Sequence, residues 1–387
     1  MKKIGLFKKI SAVLMSALLI SGCAAPQGQS SSSGLSGGDQ KSSQKKISVV
    51  CTIFPEYDWV NQIIEGQEDR YDVTLLLDNG SDLHSYQPTA DDIAKISACD
   101  LFIYVGGESD GWVKGALSES SNPNMQVINL MEIMGNKAKE EEVKEGMQAD
   151  DDHDHDHSDK DKHDNSQEAD HDHADNKDSD HEHSDHEHSD HEHSDHEHSD
   201  HEHSDVEEIE YDEHVWLSLK NSQALISEIE ESIEKIDPEN KEVYKNNTDK
   251  YTKKLASLDK EYETAVKLAK RNTVVFGDRF PFRYMVDDYN LDYYAAFVGC
   301  SAETEASFNT VVFLANKVDE LDIPVVLTIE KSDQKIAKTI VENTRDKNQK
   351  IEVMDSLQSV TKDDIKAGTT YYGVMEKNLE VLKKALD

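Results

Sequence analysis

A low-complexity tract divides this chain into two parts that must fold without it. Residues 180–204 are five copies of the unit DHEHS, and sixteen of the eighteen histidines lie between His153 and His203. The stretch from Asp150 to Asp205, called the histidine tract below, holds 24 acidic residues against 3 lysines and almost no apolar side chain. Ordering it would cost backbone entropy with little surface buried in return. We therefore predict a disordered insertion over residues 140–205, unless metal gathers it.

The charge of the chain argues against a nucleic-acid partner. The formal net charge is −39, and phosphate binding needs clustered lysine and arginine. More than half of this negative charge belongs to the histidine tract. The length of 387 residues is enough for two modest domains in addition to the histidine tract.

The N-terminus has the features of a secretion signal. Four lysines occur in the first nine residues, and the apolar run Ile10–Ile20 is too short to span a bilayer. The run ends in Gly22-Cys23, which resembles a bacterial lipobox. We predict a signal peptide over residues 1–22, lipidation of Cys23, and a flexible Ser/Gly/Gln-rich tether over residues 23–46. An ordinary signal peptide with a chance cysteine is the alternative.

Both halves of the chain alternate short β-branched runs with helical stretches, which predicts α/β lobes with mainly parallel sheets. The strand-like runs are ISVVCTI, YDVTLLL, LFIYV and MQVINL before the tract, and NTVVF, LDYYAAF, IPVVLTI and KIEVM after it. Residues 221–270 lack strand signals and break once, at Asp237-Pro238. The boundaries are therefore 47–236 for the N-terminal lobe, 237–270 for a rigid linking helix about 45 Å long, and 271–387 for the C-terminal lobe.

Two histidines lie outside the tract, and both fall in loops at the ends of predicted elements. His84 occurs in GSDLHSYQPTADDI and His214 in YDEHVWLSLKNSQ. A lone loop histidine is more often a structural hydrogen bonder than a ligand, but a cleft between α/β lobes is a common ligand site. The cysteines Cys51, Cys99 and Cys300 form no CxxC motif. Buried thiols are the simplest interpretation for Cys51 and Cys99. One disulfide between two of the three cysteines is the alternative.

Several separated motifs resemble the zinc and manganese substrate-binding proteins of bacterial ABC transporters, on the zinc-uptake side. They are GSDLHSYQPTADDI, CDLFIYVGG, YDEHVWLSLKN, DDYNLDYY, SAETEASF and YYGVMEKNLEVLKKAL, spread over residues 47–387. The resemblance implies two α/β lobes bridged by a rigid helix, one metal ion between them, and delivery of that ion to a membrane permease. An acidic, histidine-rich insertion between the first two ligands is typical of the zinc members.

The resemblance also implies a set of metal ligands. His84 and His214 match the first two histidines of the family. The third position falls on Arg279, which cannot bind a cation, and a one-residue shift would place Asp278 there instead. Otherwise Asp278 and Arg279 form a structural ion pair. The fourth position matches Asp355, for which a helix cap is the alternative.

Two imidazoles with one or two carboxylates suit Zn²⁺, although manganese prefers more oxygen ligands. The histidine tract favours zinc, because closely spaced imidazoles and flanking carboxylates collect cations. We interpret the tract as a weak collector that feeds the tight site; a solvated spacer is the alternative.

We expect a lipid-anchored, monomeric, extracytoplasmic protein that hands Zn²⁺ to an ABC permease. The motif HExxH and the Walker loop are absent, which argues against an enzyme. A manganese-binding protein and a surface adhesin or passive metal store are the remaining alternatives.

Overall fold

A computed structural model describes residues 45–148, 210–301 and 305–387 of the protein. The predicted signal peptide, Cys23, nearly all of the tether and the histidine tract lie outside the described residues. The described strands are β1 (Ile47–Cys51), β2 (Tyr71–Leu75), β3 (Leu101–Tyr104), β4 (Gln126–Asn129), β5 (Thr273–Phe280), β6 (Asp292–Val298), β7 (Val325–Thr328) and β8 (Lys350–Val353). The described α-helices are α1 (Phe54–Ile63), α2 (Ala90–Ala98), α3 (Val113–Ser118), α4 (Leu130–Met134), α5 (Leu219–Ile236), α6 (Lys241–Leu268), α7 (Arg283–Tyr289), α8 (Phe308–Glu320), α9 (Lys335–Asn343), α10 (Lys362–Lys366) and α11 (Tyr371–Leu386).

The strands before the tract form one parallel sheet in the order β2-β1-β3-β4. Strand β3 is almost entirely buried and β1 mostly so, as expected for a parallel sheet covered by helices on both faces. The chain order reverses between β1 and β3. In open parallel sheets, ligands bind beyond the carboxyl ends of the strands at such a reversal.

The strands after the tract repeat this arrangement in the order β6-β5-β7-β8, again with every pair parallel. The predicted α/β class with two parallel-sheet lobes is confirmed. All eight predicted strand runs form strands, although β5 continues to Phe280, beyond the predicted NTVVF.

Helices α5 and α6 connect the lobes. The chain breaks at Asp237-Pro238 as predicted, with a short 3₁₀ turn at Pro238–Asn240 before α6 begins. The 28 residues of α6 give a length of about 42 Å. Its buried residues recur at alternating spacings of four and three, which places them on one face: Tyr244, Thr248, Tyr251, Leu255, Leu258 and Tyr262. This face packs against α1, α5 and α11, so both lobes rest on the same helix.

One hydrophobic core runs through both lobes. It joins Val50 and Trp59 of the N-terminal lobe, Leu255 of α6, and Phe276 and Leu327 of the C-terminal lobe. A smaller second core lies on the other face of the β5–β8 sheet. Because close-packed interiors resist continuous deformation, the shared core holds the two sheets in a fixed relative orientation.

The predicted insertion boundary at residue 140 is wrong, because residues 140–148 are ordered against the C-terminal lobe. The backbone N–H of Gln148 donates to the carbonyl of Ala296 at 3.0 Å, beside the edge strand β6. Lys144 forms an ion pair with Asp292 and lies over the ring of Tyr293. Edge strands are commonly covered in this way, so these nine residues have a structural role that their composition does not indicate.

Two further features of the described residues bear on the sequence analysis. None of the described helices combines the length and the apolar character needed to cross a membrane. Cys51, Cys99 and Cys300 are all free, so the disulfide left open by the sequence does not form. Cys51 and Cys99 are buried, as predicted.

Asp237, at the break between α5 and α6, ties the N-terminal lobe to the helix pair. Its carboxylate accepts hydrogen bonds from Nη2 of Arg70 at 2.8 Å, from Nε of Arg70 at 3.0 Å and from the hydroxyl of Tyr244 at 2.5 Å. Tyr71 donates to the Tyr244 hydroxyl at 2.8 Å. Burial opposes ionisation of Asp237, but these donors outweigh it and hold its pKa below the ordinary value.

We expect Asp237→Ala to lower the free energy of unfolding by about 2 kcal/mol, less than the roughly 3–5 kcal/mol of a fully buried pair, because the Arg70 side chain keeps 32% exposure. Urea unfolding of the purified protein measures this. The control is Glu65→Ala, which removes the exposed pair with Lys250 and should cost less than about 0.5 kcal/mol. Equal losses in the two variants would contradict the assigned role of Asp237.

Candidate metal centre

His84 lies on a short 3₁₀ turn, Leu83–Ser85, between β2 and α2. The carboxylate of Asp82 caps this turn by accepting the backbone N–H of His84 at 3.0 Å, and the buried side chain of Leu83 anchors it in the core. The His84 ring is mostly buried, and its Nδ1 lies 2.7 Å from Oγ of Ser109. The turn therefore points the other ring nitrogen, Nε2, away from Ser109.

His214 begins a second 3₁₀ turn, Val215–Leu217, where the described chain resumes after the tract. Its side chain is fully buried. One carboxylate oxygen of Asp212 accepts both the backbone N–H of His214, at 2.8 Å, and its ring Nδ1–H, at 2.9 Å. Because an ionised carboxylate only accepts hydrogen bonds, the ring proton is on Nδ1 and Nε2 carries a lone pair.

The two rings face each other through these free nitrogens. The Nε2 atoms of His84 and His214 are 3.2 Å apart. The carboxylate of Glu213 lies 3.7 Å from Nδ1 of His84, and its Oε2 is buried without a hydrogen-bond partner among the described residues. This negative charge favours a proton on Nδ1 of His84 as well. When both ring protons are on Nδ1, two lone pairs point at one position, where a cation would satisfy both. Without a cation, the 3.2 Å contact is a hydrogen bond in which one ring carries a proton on Nε2.

Cys300 completes a group of three. Among the described residues, His84, His214 and Cys300 form the only cluster of three or more His, Cys, Asp or Glu side chains whose possible ligand atoms all lie within 4.8 Å of one another. Cys300 follows β6, in a loop at the carboxyl edge of the C-terminal sheet. The sequence analysis gave this cysteine no metal role, although its place directly after a parallel strand was a signal that could have indicated one.

Asp278, the predicted third ligand, lies outside this cluster. The register of β5 against β6 slips by one residue between Phe276 and Arg279, but this does not bring Asp278 into the cluster. One oxygen of Asp278 accepts the backbone N–H of Arg279 at 2.9 Å, and the other is buried without a partner among the described residues. Asp278 and His84 line the same cavity of about 480 Å³.

The alternative ion pair between Asp278 and Arg279 is also absent. The guanidinium of Arg279 instead donates to the carboxylate of Asp82 at 2.6 Å and to the backbone carbonyl of Ser301 at 3.3 Å. Arg279 thus connects the His84 turn of the N-terminal lobe to the Cys300 loop of the C-terminal lobe. A fixed positive charge stands where the family resemblance implies a metal ligand.

Asp355, the predicted fourth ligand, is likewise not in the cluster. Its carboxylate accepts the backbone N–H of Leu357 at 2.8 Å, which closes its own loop after β8. Burial, with the nearby charge of Glu330, raises the pKa of Asp355 to about 6. In this structure Asp355 therefore stabilises a loop; it does not cap a helix, because the N-cap of the following helix α10 is Thr361.

The charges around the cluster are mainly negative. Burial, with repulsion from His214, lowers the pKa of His84 to about 3, so His84 is neutral at physiological pH. Burial opposes protonation of His214 too, but Asp212 outweighs it and the pKa of His214 is raised. Burial, with Asp212 and Glu141, raises the pKa of the Cys300 thiol. Such a shell of carboxylates around imidazole and thiol groups favours a divalent cation.

Comparison with known proteins identifies the family and the fold. A family model described as zinc-uptake complex component A, periplasmic (ZnuA), matches residues 49–385. The zinc-binding lipoprotein AdcA of Streptococcus pneumoniae (strain ATCC BAA-255 / R6) is 28% identical over 349 residues, which are 90% of this chain and 58% of that protein. The chain thus spans little more than half of that relative. The high-affinity zinc uptake system protein ZnuA of Bacillus subtilis (strain 168) is 28% identical over 384 residues, 98% of this chain and 99% of that protein.

Solved structures have the same fold. The Zn(II)-bound ZnuA-like domain of Streptococcus pneumoniae AdcA superimposes with a TM-score of 0.60 at 26% identity, covering 88% of this chain and 99% of that one. The metal-dependent lipoprotein YcdH of Bacillus subtilis gives a TM-score of 0.61 at 25% identity, with the same coverage.

Gly299 provides a test of the paired histidines, because a Cβ at this position would lie 2.9 Å from the carbonyl oxygen of Phe280 and 3.1 Å from Cε1 of His214. We expect Gly299→Ala to displace the His214 ring and to weaken Zn²⁺ binding by about 10-fold or more, as changes to groups that hold a metal-binding histidine in place do. Competition against a chromophoric chelator measures the affinity.

The control is Gly115→Ala in α3, where an added Cβ meets no atom within 4 Å. This variant should bind Zn²⁺ as the unaltered protein does. If Gly299→Ala also left the affinity unchanged, the His214 ring would not be part of the binding site.

Proposed function

Because the chain belongs to the zinc-uptake complex component A (ZnuA) family, we propose that it captures one Zn²⁺ tightly between its two lobes and delivers the ion to an ABC permease. The family consists of uptake-complex components, which confirms that the chain is not an enzyme. Lipid attachment at Cys23 and the tether up to residue 46 would hold the monomeric protein outside the membrane, within reach of the permease.

The observation that carries the proposal is the 3.2 Å separation of the two Nε2 atoms. Two imidazole nitrogens bound to one tetrahedral Zn²⁺ at 2.0–2.1 Å would be about 3.3 Å apart. The Nε2 atoms of His84 and His214 are therefore already about as far apart as two nitrogen ligands of one tetrahedral Zn²⁺. Little reorganisation is needed on binding, which favours high affinity.

The surroundings of the two rings support the same conclusion. Metal-binding histidines usually donate their second ring N–H to a carboxylate or another acceptor, which fixes the tautomer. Asp212 fills this role for His214, and Ser109 with Glu213 fills it for His84. These partners leave both Nε2 atoms available to the metal.

The histidine tract is proposed to collect Zn²⁺ weakly and pass it to this site. The segments that flank the tract on either side are paired with each other. The backbone N–H of Glu141 donates to the carbonyl of Glu210 at 2.9 Å, and the backbone N–H of Asp212 donates to the carbonyl of Lys139 at 2.9 Å. Both ends lie beside the centre, because Glu141 and Glu210 line a cavity of about 240 Å³ together with His84. Ions released from the tract would enter next to the ligands.

We expect His84→Ala and His214→Ala each to weaken Zn²⁺ binding by on the order of 100-fold or more, exceeding the roughly 10–100-fold effect of changing a residue that only hydrogen-bonds to a ligand. Each substitution removes one of two converging nitrogen ligands, so the loss should appear as a missing tight phase in a chelator competition titration. His191→Ala, within the repeats, should leave that phase intact. Stoichiometric tight binding retained by both site variants would refute the assignment.

Deletion of residues 150–205 tests the collector role separately. The deleted protein should still bind one Zn²⁺ tightly, because the paired histidines remain, while cellular zinc uptake at limiting zinc should fall. Uptake equal to that of the intact protein would dismiss the collector role. Loss of the tight ion would instead favour a passive store built from the tract, and tighter binding of Mn²⁺ than of Zn²⁺ would favour the manganese alternative.

A further inference from the structure

We propose that the Cys300 thiolate is the third protein ligand of the bound ion. This inference rests on the proposed function, because it concerns the composition and selectivity of the same site. The resulting ligand set is two imidazole nitrogens and one sulfur, in place of the carboxylates implied by the family resemblance. Such a set selects borderline and soft cations such as Zn²⁺ over hard Mn²⁺.

The position of the sulfur supports this assignment. Sγ of Cys300 lies within 4.8 Å of a ligand nitrogen of each histidine. At a tetrahedral zinc with Zn–N near 2.05 Å and Zn–S near 2.3 Å, the sulfur would be about 3.6 Å from each nitrogen. Movement by roughly 1 Å, within reach of a side-chain rotation, closes the difference. Cys51 and Cys99, by contrast, are fully enclosed by apolar neighbours.

The loop that carries Cys300 is fixed against both histidine turns. Gly299 packs so closely on the His214 ring that a Cβ would not fit. The backbone N–H of Cys300 donates to the carboxylate of Glu141 at 3.2 Å, and the carbonyl of Ser301 accepts from Arg279 at 3.3 Å. A loop held on both sides presents its cysteine in one place, which a preorganised ligand requires.

Arg279 explains why a different residue is needed for the third ligand. Its guanidinium is engaged with Asp82, so the end of β5 contributes a positive charge next to the site. Asp278 has one oxygen tied to the backbone and points the other into a buried position without a partner among the described residues. An anionic ligand must then come from another element, and the loop after β6 supplies one. On binding, the thiol proton leaves to solvent as the sulfur–metal bond forms.

The test uses the full chain with Cys23→Ser, so that Cys300 is the one thiol that is not buried, and Co²⁺ as a spectroscopic substitute for Zn²⁺. A sulfur ligand gives a near-ultraviolet sulfur-to-cobalt charge-transfer band, which imidazoles and carboxylates of the tract cannot produce. We expect this band at one equivalent of Co²⁺. Cys300→Ser should abolish it and weaken Zn²⁺ binding by on the order of 100-fold, whereas Asp278→Asn should keep the band and change the affinity less than about 10-fold.

A second variant, Cys300→Asp, supplies an oxygen ligand at the same place. It should lose the charge-transfer band while reducing the preference for Zn²⁺ over Mn²⁺ by about 10-fold or more. Tight binding of one Zn²⁺ with no sulfur band in the parent protein would overturn the role of Cys300 and leave the proposed function standing. An Asp278→Asn variant that lost tight binding while Cys300→Ser kept it would assign the third ligand to Asp278. No tight Zn²⁺ in the parent protein would refute the proposed function itself.

Discussion

The structure of the site depends on two imidazole rings held with their Nε2 atoms facing each other at 3.2 Å. Such an arrangement is unfavourable without a proton or a cation between the lone pairs. It persists because each ring is fixed from behind, His214 by Asp212 and His84 by Ser109. The partners behind the rings therefore determine the geometry as much as the histidines do.

The scaffold supplies the rigidity that this geometry needs. Parallel strands end at a common edge, and the two sheets have the same strand order, so each presents its carboxyl edge as a source of loops. The core shared by α1, α6 and the C-terminal sheet fixes one edge relative to the other. His84 and His214 come from the N-terminal lobe, on either side of the tract, and Cys300 comes from the C-terminal lobe. A site of this kind forms only when both lobes are folded and packed.

Arg279 distinguishes this centre from the pattern that the family resemblance implies. Its ion pair with Asp82 connects the lobes beside the histidines and replaces a ligand with a structural cation. The carboxylates near the site, among them Glu141 and Glu213, compensate for this positive charge and for that of an incoming ion. A thiolate ligand from the loop after β6 is consistent with such a balance of charge.

The sequence alone determined the α/β class, the eight strands and the break at Asp237, because hydrophobic periodicity, turn residues and local motifs are properties of neighbouring residues. It singled out His84 and His214, but it did not indicate the contacts that Asp278, Arg279, Cys300 and residues 140–148 make. Those depend on a register slip in β5 and on contacts between segments that are far apart in the chain. Only tertiary packing decided which acidic or sulfur side chain lies beside the two imidazoles, since a displacement of one residue in a strand redirects every side chain that follows.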